Sequence, residues 1–224
     1  MKPFLKTGLG VLTFALAGTC AHAAPIDWNT WTSATTGTIT TGPTAVTFSA
    51  GGSTDNFVPF YPSYTPNSTF ADGSIVDNAP TSANGIIQLT GGNTNVNTIT
   101  FSAAVVNPVM AIWSLGQGGT TARFDFIGAT PLFVSGGPNG EYGGSAITVA
   151  GNSVSGAEGN GTVMFVGTYT SISWTNPVFE NWYGFNVGVA GVAAAVPEPE
   201  TYAMMLAGLG LLGFAARRRK QQTA

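Results

Sequence analysis

Between residues 24 and 196 no ten-residue stretch carries a helical period. Apolar residues come instead in short runs, separated by Gly-Gly, Pro-Asn-Gly and Asn-Pro steps. Short alternating runs put side chains on the two faces of a strand, and clusters of Gly, Pro and Asn mark the turns between strands. Strands are expected at 38–41, 45–49, 86–90, 98–102, 109–115, 123–127, 131–134, 146–149, 162–168, 171–174 and 182–189. Many short strands at near-even spacing favour an antiparallel β-sandwich or jelly-roll-like body, so the fold class is all-β. The expected body, residues 24–192, is long enough for one domain whose core needs no disulfides.

Within that body the run at 109–115 is distinctive. Val109, Ala111, Trp113 and Leu115 alternate with Met110, Ile112 and Ser114, so both faces are mostly apolar and the strand should be central. Residues 27–36 form a lead-in whose Trp28 and Trp31 should dock on the sheet. Residues 55–83 are the longest irregular stretch, with Phe57, Phe60, Tyr61, Tyr64 and Phe70 among four prolines. A long loop of this kind is functional or disordered, and its aromatic content argues for packing. The rings are expected to cover one end of the sandwich; the alternative is a stacking surface for sugar rings. Residues 72–78 offer oxygens from Asp72 and Asp77 that a Ca²⁺ ion could use, but without the EF-hand pattern or its final Glu. Turn chemistry from Asp and Asn is the simpler explanation, and no metal or other cofactor is expected. The Gly-rich stretch 128–161 is explained by turns, since no Gly-Lys-Ser/Thr follows it.

The two ends are of another kind. Lys2 and Lys6 precede a short apolar run at 8–17, and Ala21-His22-Ala23 supplies a small-x-small pattern. Residues 1–23 therefore read as a helical signal peptide cut after Ala23. Cys20 raises lipoprotein processing as a rival, but Thr19 stands where a small residue is usual. At the other end, residues 193–200 form a linker ending in a rigid acidic motif, Pro197-Glu198-Pro199-Glu200, through which a helix should not run back. Residues 201–216 carry no charge and should form a transmembrane helix. Arg217, Arg218, Arg219 and Lys220 then form a basic stop on the cytoplasmic side. At about 1.5 Å per residue, residues 201–216 make roughly 24 Å of helix against a hydrocarbon core of about 30 Å. Such a segment can span, yet it is a weak permanent anchor. A simple tail anchor is one reading; a processing signal held briefly in the membrane and then removed is the other.

Val196, Pro197, Glu198 and Pro199, followed by a short apolar segment and the basic cluster, resemble the PEP-CTERM sorting signal of Gram-negative bacteria. The resemblance covers residues 196–220. It implies processing near the Pro-Glu-Pro motif by an exosortase, a membrane-embedded cysteine transpeptidase. It also implies export, a transient membrane anchor, and a final place at the cell surface or in the exopolysaccharide matrix. Phe101-Ser102, Asn107-Pro108, the run Ile112-Trp113-Ser114-Leu115-Gly116 and the closing run from Glu180 to Phe185 resemble the β-rich bodies of PEP-CTERM proteins, which implies the same fold class and no particular activity.

Loss of both ends narrows the chemistry. Cys20 and His22, the sole Cys and His, go with the signal peptide. Between residues 24 and 196, Arg123 is the one basic residue against Asp27, Asp55, Asp72, Asp77, Asp125, Glu141, Glu158 and Glu180; one minus eight gives −7, where the whole chain carries −3. No Cys/His zinc site and no Ser-His-Asp or Cys-His mechanism can be built from this set. Nucleic-acid binding is excluded, because one Arg cannot neutralise a phosphate track. Arg123 should pair with Asp125, two residues on along the same strand face, or with Glu180. Glu180 lies among Phe179, Trp182, Tyr183 and Phe185, where burial would raise its pKa. The favoured expectation is a non-catalytic, exported surface or matrix protein. The alternatives are a carbohydrate-binding module, or a glycan-active hydrolase or lyase using Asp125 with Glu180 or Glu141 with Glu158.

Overall fold

The computed structural model describes residues 25–192, apart from residues 41, 43, 52, 53 and 63, together with Leu209. The expected signal peptide with Ala21 and Ala23, the 193–200 linker, the motif Val196, Pro197, Glu198 and Pro199, the expected transmembrane segment apart from Leu209, and the basic stop Arg217, Arg218, Arg219 and Lys220 lie outside the described residues. Among those residues no helix is long and apolar enough to cross a membrane.

The body is all-β, with two sheets around one core. In the first sheet the strand order is Pro131–Gly136, Gly159–Phe165, Val109–Leu115, Tyr183–Val189, Ile86–Leu89 and Thr54–Val58, with Asp27–Trp28 paired to Tyr183–Val189. In the second it is Thr148–Ala150, Ser153–Gly156, Ala122–Ile127, Thr168–Asn176, Asn93–Val106, Thr44–Ser49, Thr36–Ile39 and Thr30–Trp31, with Gly191–Val192 paired to Asn93–Val106. All pairings are antiparallel except that of Ser145–Ala146 with Gly159–Phe165. Between the sheets Met110, Ile112, Phe165 and Phe185 meet Phe48, Phe124, Phe126 and Trp174. Phe48 stacks on Trp174 with centroids 5.9 Å apart.

Each expected strand has a counterpart, and Val109–Leu115 is central with all seven residues buried. Its two faces are apolar because both are covered. Met110 and Ile112 face the other sheet, whereas Val109, Ala111 and Trp113 face an outer layer. That layer comes largely from the expected irregular stretch. Tyr61, Tyr64, Phe70 and Val76 are buried there, and Tyr61 meets the Trp113 ring edge-on at 4.8 Å. Two expectations for this stretch are corrected. It begins with an edge strand, Thr54–Val58, and includes a short helix at Asn67–Phe70. Its rings also cover the outer face of the first sheet rather than one end of the sandwich, because that face is where unpaired apolar area is available. A sugar-stacking surface here loses its basis, since Phe60 alone among Phe60, Tyr61, Tyr64 and Phe70 is strongly exposed. Trp28 and Trp31 dock as expected. Gly188 makes room for this lead-in: a Cβ there would lie 2.4 Å from Ile26 and 2.8 Å from the Trp28 ring. Within the Gly-rich stretch, turns do separate the strands expected near 131–134 and 146–149, and Ser153–Gly156 forms one further strand.

Candidate functional site

The Val109–Leu115 strand leaves regular geometry at Ser114, where φ is +51°. Leu115 pairs with Gly159 but Ile112 with Gly161, so one extra residue bulges from this strand. Bulges re-aim side chains, and they recur beside binding sites. Gly116 follows with φ +77°, and a Cβ there would lie 2.1 Å from the Gly156 carbonyl oxygen. Only glycine fits, and its N–H donates to Glu180 Oε2 at 3.2 Å.

Three further segments reach the same place. Glu158 sits in the 157–158 connection that steps between the sheets, with φ +58°. Glu180, Asn181 and Trp182 precede the Tyr183–Val189 strand. Tyr142 comes from the loop after Pro131–Gly136. Together with Ser114 and Gln117 they line a cleft of about 140 Å³. Trp182 stacks on Trp113 at 4.9 Å and 18°, and Tyr142 stands edge-on to both rings at 5.5 and 5.8 Å. The cleft therefore has an aromatic wall continuous with the outer layer.

Asn160, fully buried, holds these segments in register. Its Oδ1 accepts from the Ser114 N–H at 2.7 Å and from Asn139 Nδ2 at 2.7 Å. Its Nδ2 donates to the carbonyls of Glu158 at 3.1 Å and Gly143 at 3.2 Å. Asn139 Oδ1 in turn accepts the N–H groups of Glu141 and Tyr142. A buried amide that satisfies both of its ends in this way fixes geometry.

The two carboxylates differ. Glu158 Oε2 accepts the Ser114 hydroxyl at 2.6 Å, and the side chain is half-buried. Glu180 is 3 % exposed. Burial raises its pKa to about 7, and the Glu158 charge adds to the rise against the N–H groups of Trp182 and Gly116. The expected effect of the aromatic surround on Glu180 is thus present. Behind it, Tyr183 is buried; desolvation first, and then Glu180, push its hydroxyl pKa up.

Neither expected acid pair is brought together as one site. Asp125 lies on the second sheet, where Arg123 Nε meets its Oδ2 at 2.8 Å and Ser153 also donates to it, so Arg123 pairs with Asp125 and not Glu180. Glu141 accepts the Tyr61 hydroxyl and borders a separate hollow with Pro62, Thr65 and Gly140. The cleft instead joins Glu158 to Glu180. Phe179, expected beside Glu180, is 64 % exposed. Ser114, Gln117, Tyr142, Asn139 and Asn160 escaped sequence reasoning; the one available signal was an isolated polar Asn160 at the head of an apolar run. The Asp72 carboxylate is slightly buried, which opposes ionisation, but Ser74 Oγ and the N–H groups of Val76, Ile75 and Ser74 lower its pKa to about 2. Those donors close a turn and occupy both carboxylate oxygens, Oδ1 with three N–H groups and Oδ2 with the Ser74 hydroxyl, which suits turn chemistry rather than a cation. Among the described residues no three Cys, His, Asp or Glu side chains group as a metal site.

No curated protein and no solved structure matches the chain. Residues 195–220 match the family model of the PEP-CTERM protein-sorting motif. The chain therefore carries a PEP-CTERM sorting motif, which implies export, processing by an exosortase and a cell-surface or extracellular destination.

Proposed function

We propose that the body is a non-catalytic, exported module that associates with exopolysaccharide, and that the Glu158–Glu180 cleft takes one neutral sugar unit of it. In this reading residues 201–216 hold the chain in the membrane until the exosortase cuts near Pro197-Glu198-Pro199. The observation that carries the cleft assignment is the meeting of an aromatic wall, Trp182 and Tyr142, with two unlike carboxyl groups. Rings suit the C–H face of a sugar. Near neutral pH, Glu180 can donate a hydrogen bond to a hydroxyl while Glu158 accepts one. The excess of acids over Arg123 disfavours anionic polymers. Calorimetric titration of the purified body with neutral oligosaccharides should show weak binding that Trp182→Ala abolishes. Absence of binding to every neutral glycan offered would sink the reading.

A glycan hydrolase is the second reading, because two carboxyl groups line one cleft. Glu180 would act as the acid and Glu158 as base or nucleophile, at about 5–5.5 Å or 6.5–9.5 Å for the two stereochemical outcomes. A scissile bond needs a sugar on each side, and a cleft of about 140 Å³ leaves little room for two, which supports binding over hydrolysis. Steady release of reducing ends, abolished by Glu180→Gln, would replace the first reading with this one.

A further inference from the structure

One hairpin stands between the cleft and a second concavity. Asn139 and Gly143 close it with backbone bonds of 2.7 and 3.1 Å. On one side it is pinned to the outer layer: the Gly140 N–H donates to the Thr65 carbonyl at 2.8 Å, and the Pro138 carbonyl accepts the Thr69 hydroxyl at 2.7 Å. A Cβ at Gly140 would lie 2.9 Å from Thr65 Oγ1, so glycine permits this close approach. On the other side Asn139 ties the hairpin to Asn160 and the cleft segments. The tip serves both sides. Tyr142 lines the Glu158–Glu180 cleft, whereas Gly140 and Glu141 line a hollow of about 360 Å³ with Pro62 and Thr65.

Tyr142 marks the divide. Desolvation first raises its hydroxyl pKa; Glu141 adds to the rise by charge and a hydrogen bond, and Glu158 by charge. One of those carboxylates belongs to the hollow and the other to the cleft. The Tyr142 ring is half exposed, and its edge-on contacts with Trp113 and Trp182 hold it in place. Residues 141 and 142, with Cα atoms about 3.8 Å apart, thus line different concavities, a step short enough for consecutive sugar units to make. The hollow repeats the chemistry of the cleft on a wider scale. Pro62 supplies an apolar surface, Glu141 an acceptor and Thr65 a hydroxyl.

We propose that the hollow of Pro62, Thr65, Gly140 and Glu141 is a second subsite, which takes the neutral sugar unit next to the one in the cleft, so that the body grips two adjoining units of one chain. The inference rests on the assignment of the cleft to a neutral sugar. The linkage between the two units then crosses the hairpin tip at Tyr142, outside the space that Glu158 and Glu180 share, and is held without being cut.

The test is an NMR titration of the full chain, purified in lauryldimethylamine oxide, a detergent without sugar groups. The probes are the mono- and disaccharides of β-1,4-glucan, β-1,3-glucan and β-1,4-mannan. For a glycan that binds, the disaccharide should bind about tenfold tighter than its monosaccharide. Pro62 is exposed, and Pro62→Trp fills the hollow. That variant should bring the disaccharide down to the monosaccharide value and leave the monosaccharide unchanged. Glu141→Ala should remove part of the same gain. If Pro62→Trp lowers Tm, Glu141→Ala decides alone. Equal affinity for the two probes in the unsubstituted chain, or a gain that survives these substitutions, overturns the second subsite and leaves the cleft reading standing. Absence of binding by every probe overturns the cleft reading, and the subsite with it.

Discussion

The two sheets share a core and differ on their outer faces. The second sheet leaves its outer face to water: Thr36, Thr38, Thr47, Ser49, Thr100, Ser102 and Ser171 are exposed, alternating with buried partners. The first sheet has no such face. Ile86–Leu89, Val109–Leu115 and Tyr183–Val189 are buried throughout, because the segment from Tyr61 to Ala79 lies over them. An antiparallel sheet needs one covered face, and a second cover requires extra chain. Here that extra chain carries aromatic side chains whose stacking continues into the cleft wall at Trp113, Trp182 and Tyr142. The doubly covered sheet is the one that can hold a polar cleft against a rigid apolar backing.

The sharpest way to break this comparison is to strip the cover. Phe70→Ala should cost about 3–5 kcal/mol in urea unfolding, as expected for a fully buried aromatic ring. Thr100→Ala, on the open face of the second sheet, should stay within about 0.5 kcal/mol. Equal losses would mean that the outer layer contributes no more than an exposed Thr.

Next come the two buried asparagines. Asn160 ties the cleft segments; Asn176 serves the second sheet, accepting from Asn97 Nδ2 and Trp174 Nε1 and donating to the Arg123 carbonyl. Replacing either with Ala orphans several buried groups and should cost about 2–4 kcal/mol. Only Asn160→Ala should also weaken glycan binding in calorimetry. If Asn176→Ala weakens it as much, the cleft is not a property of one end.

A smaller effect is expected from pH. The folded-state pKa of Glu180 is raised to about 7 from the ordinary 4.5, so folding holds a proton that the unfolded chain releases. Its contribution to stability is fully present below about pH 4.5, is lost as pH rises through 7, and levels off above. The fall should be about 1–3 kcal/mol between pH 4.5 and 8, and Glu180→Gln should flatten that part of the curve. An unchanged slope in Glu180→Gln would show that another group carries the proton. Asp72 acts in the opposite sense: its contribution is present above about pH 4 and is lost as pH falls through 2.

The least effect belongs to Arg123. Its ion pair with Asp125 is exposed, at 46 % and 26 % of the two side chains. Arg123→Ala should cost no more than about 1 kcal/mol, less in high salt. A larger loss would mean that the open face of the second sheet contributes more than its exposure implies.

Sequence by itself determined the strand class, the centrality of Val109–Leu115 and the sorting motif at the C-terminal end. These are local properties: period-two alternation, turn residues, and an ordered acidic, apolar and basic series. It also foretold the docking of Trp28 and Trp31 and the raised pKa of Glu180, the first from large apolar rings that need cover and the second from burial beside Trp182 and Tyr183. Tertiary structure alone decided which acid joins Glu180. Glu158 arrives from a connection between the sheets, placed by the bulge at Ser114 and the hydrogen bonds of Asn160, and nothing in the spacing of 158 and 180 encodes that meeting. It also decided that residues 61–79 cover a sheet face rather than an end, because only the register of the strands says where apolar area remains uncovered.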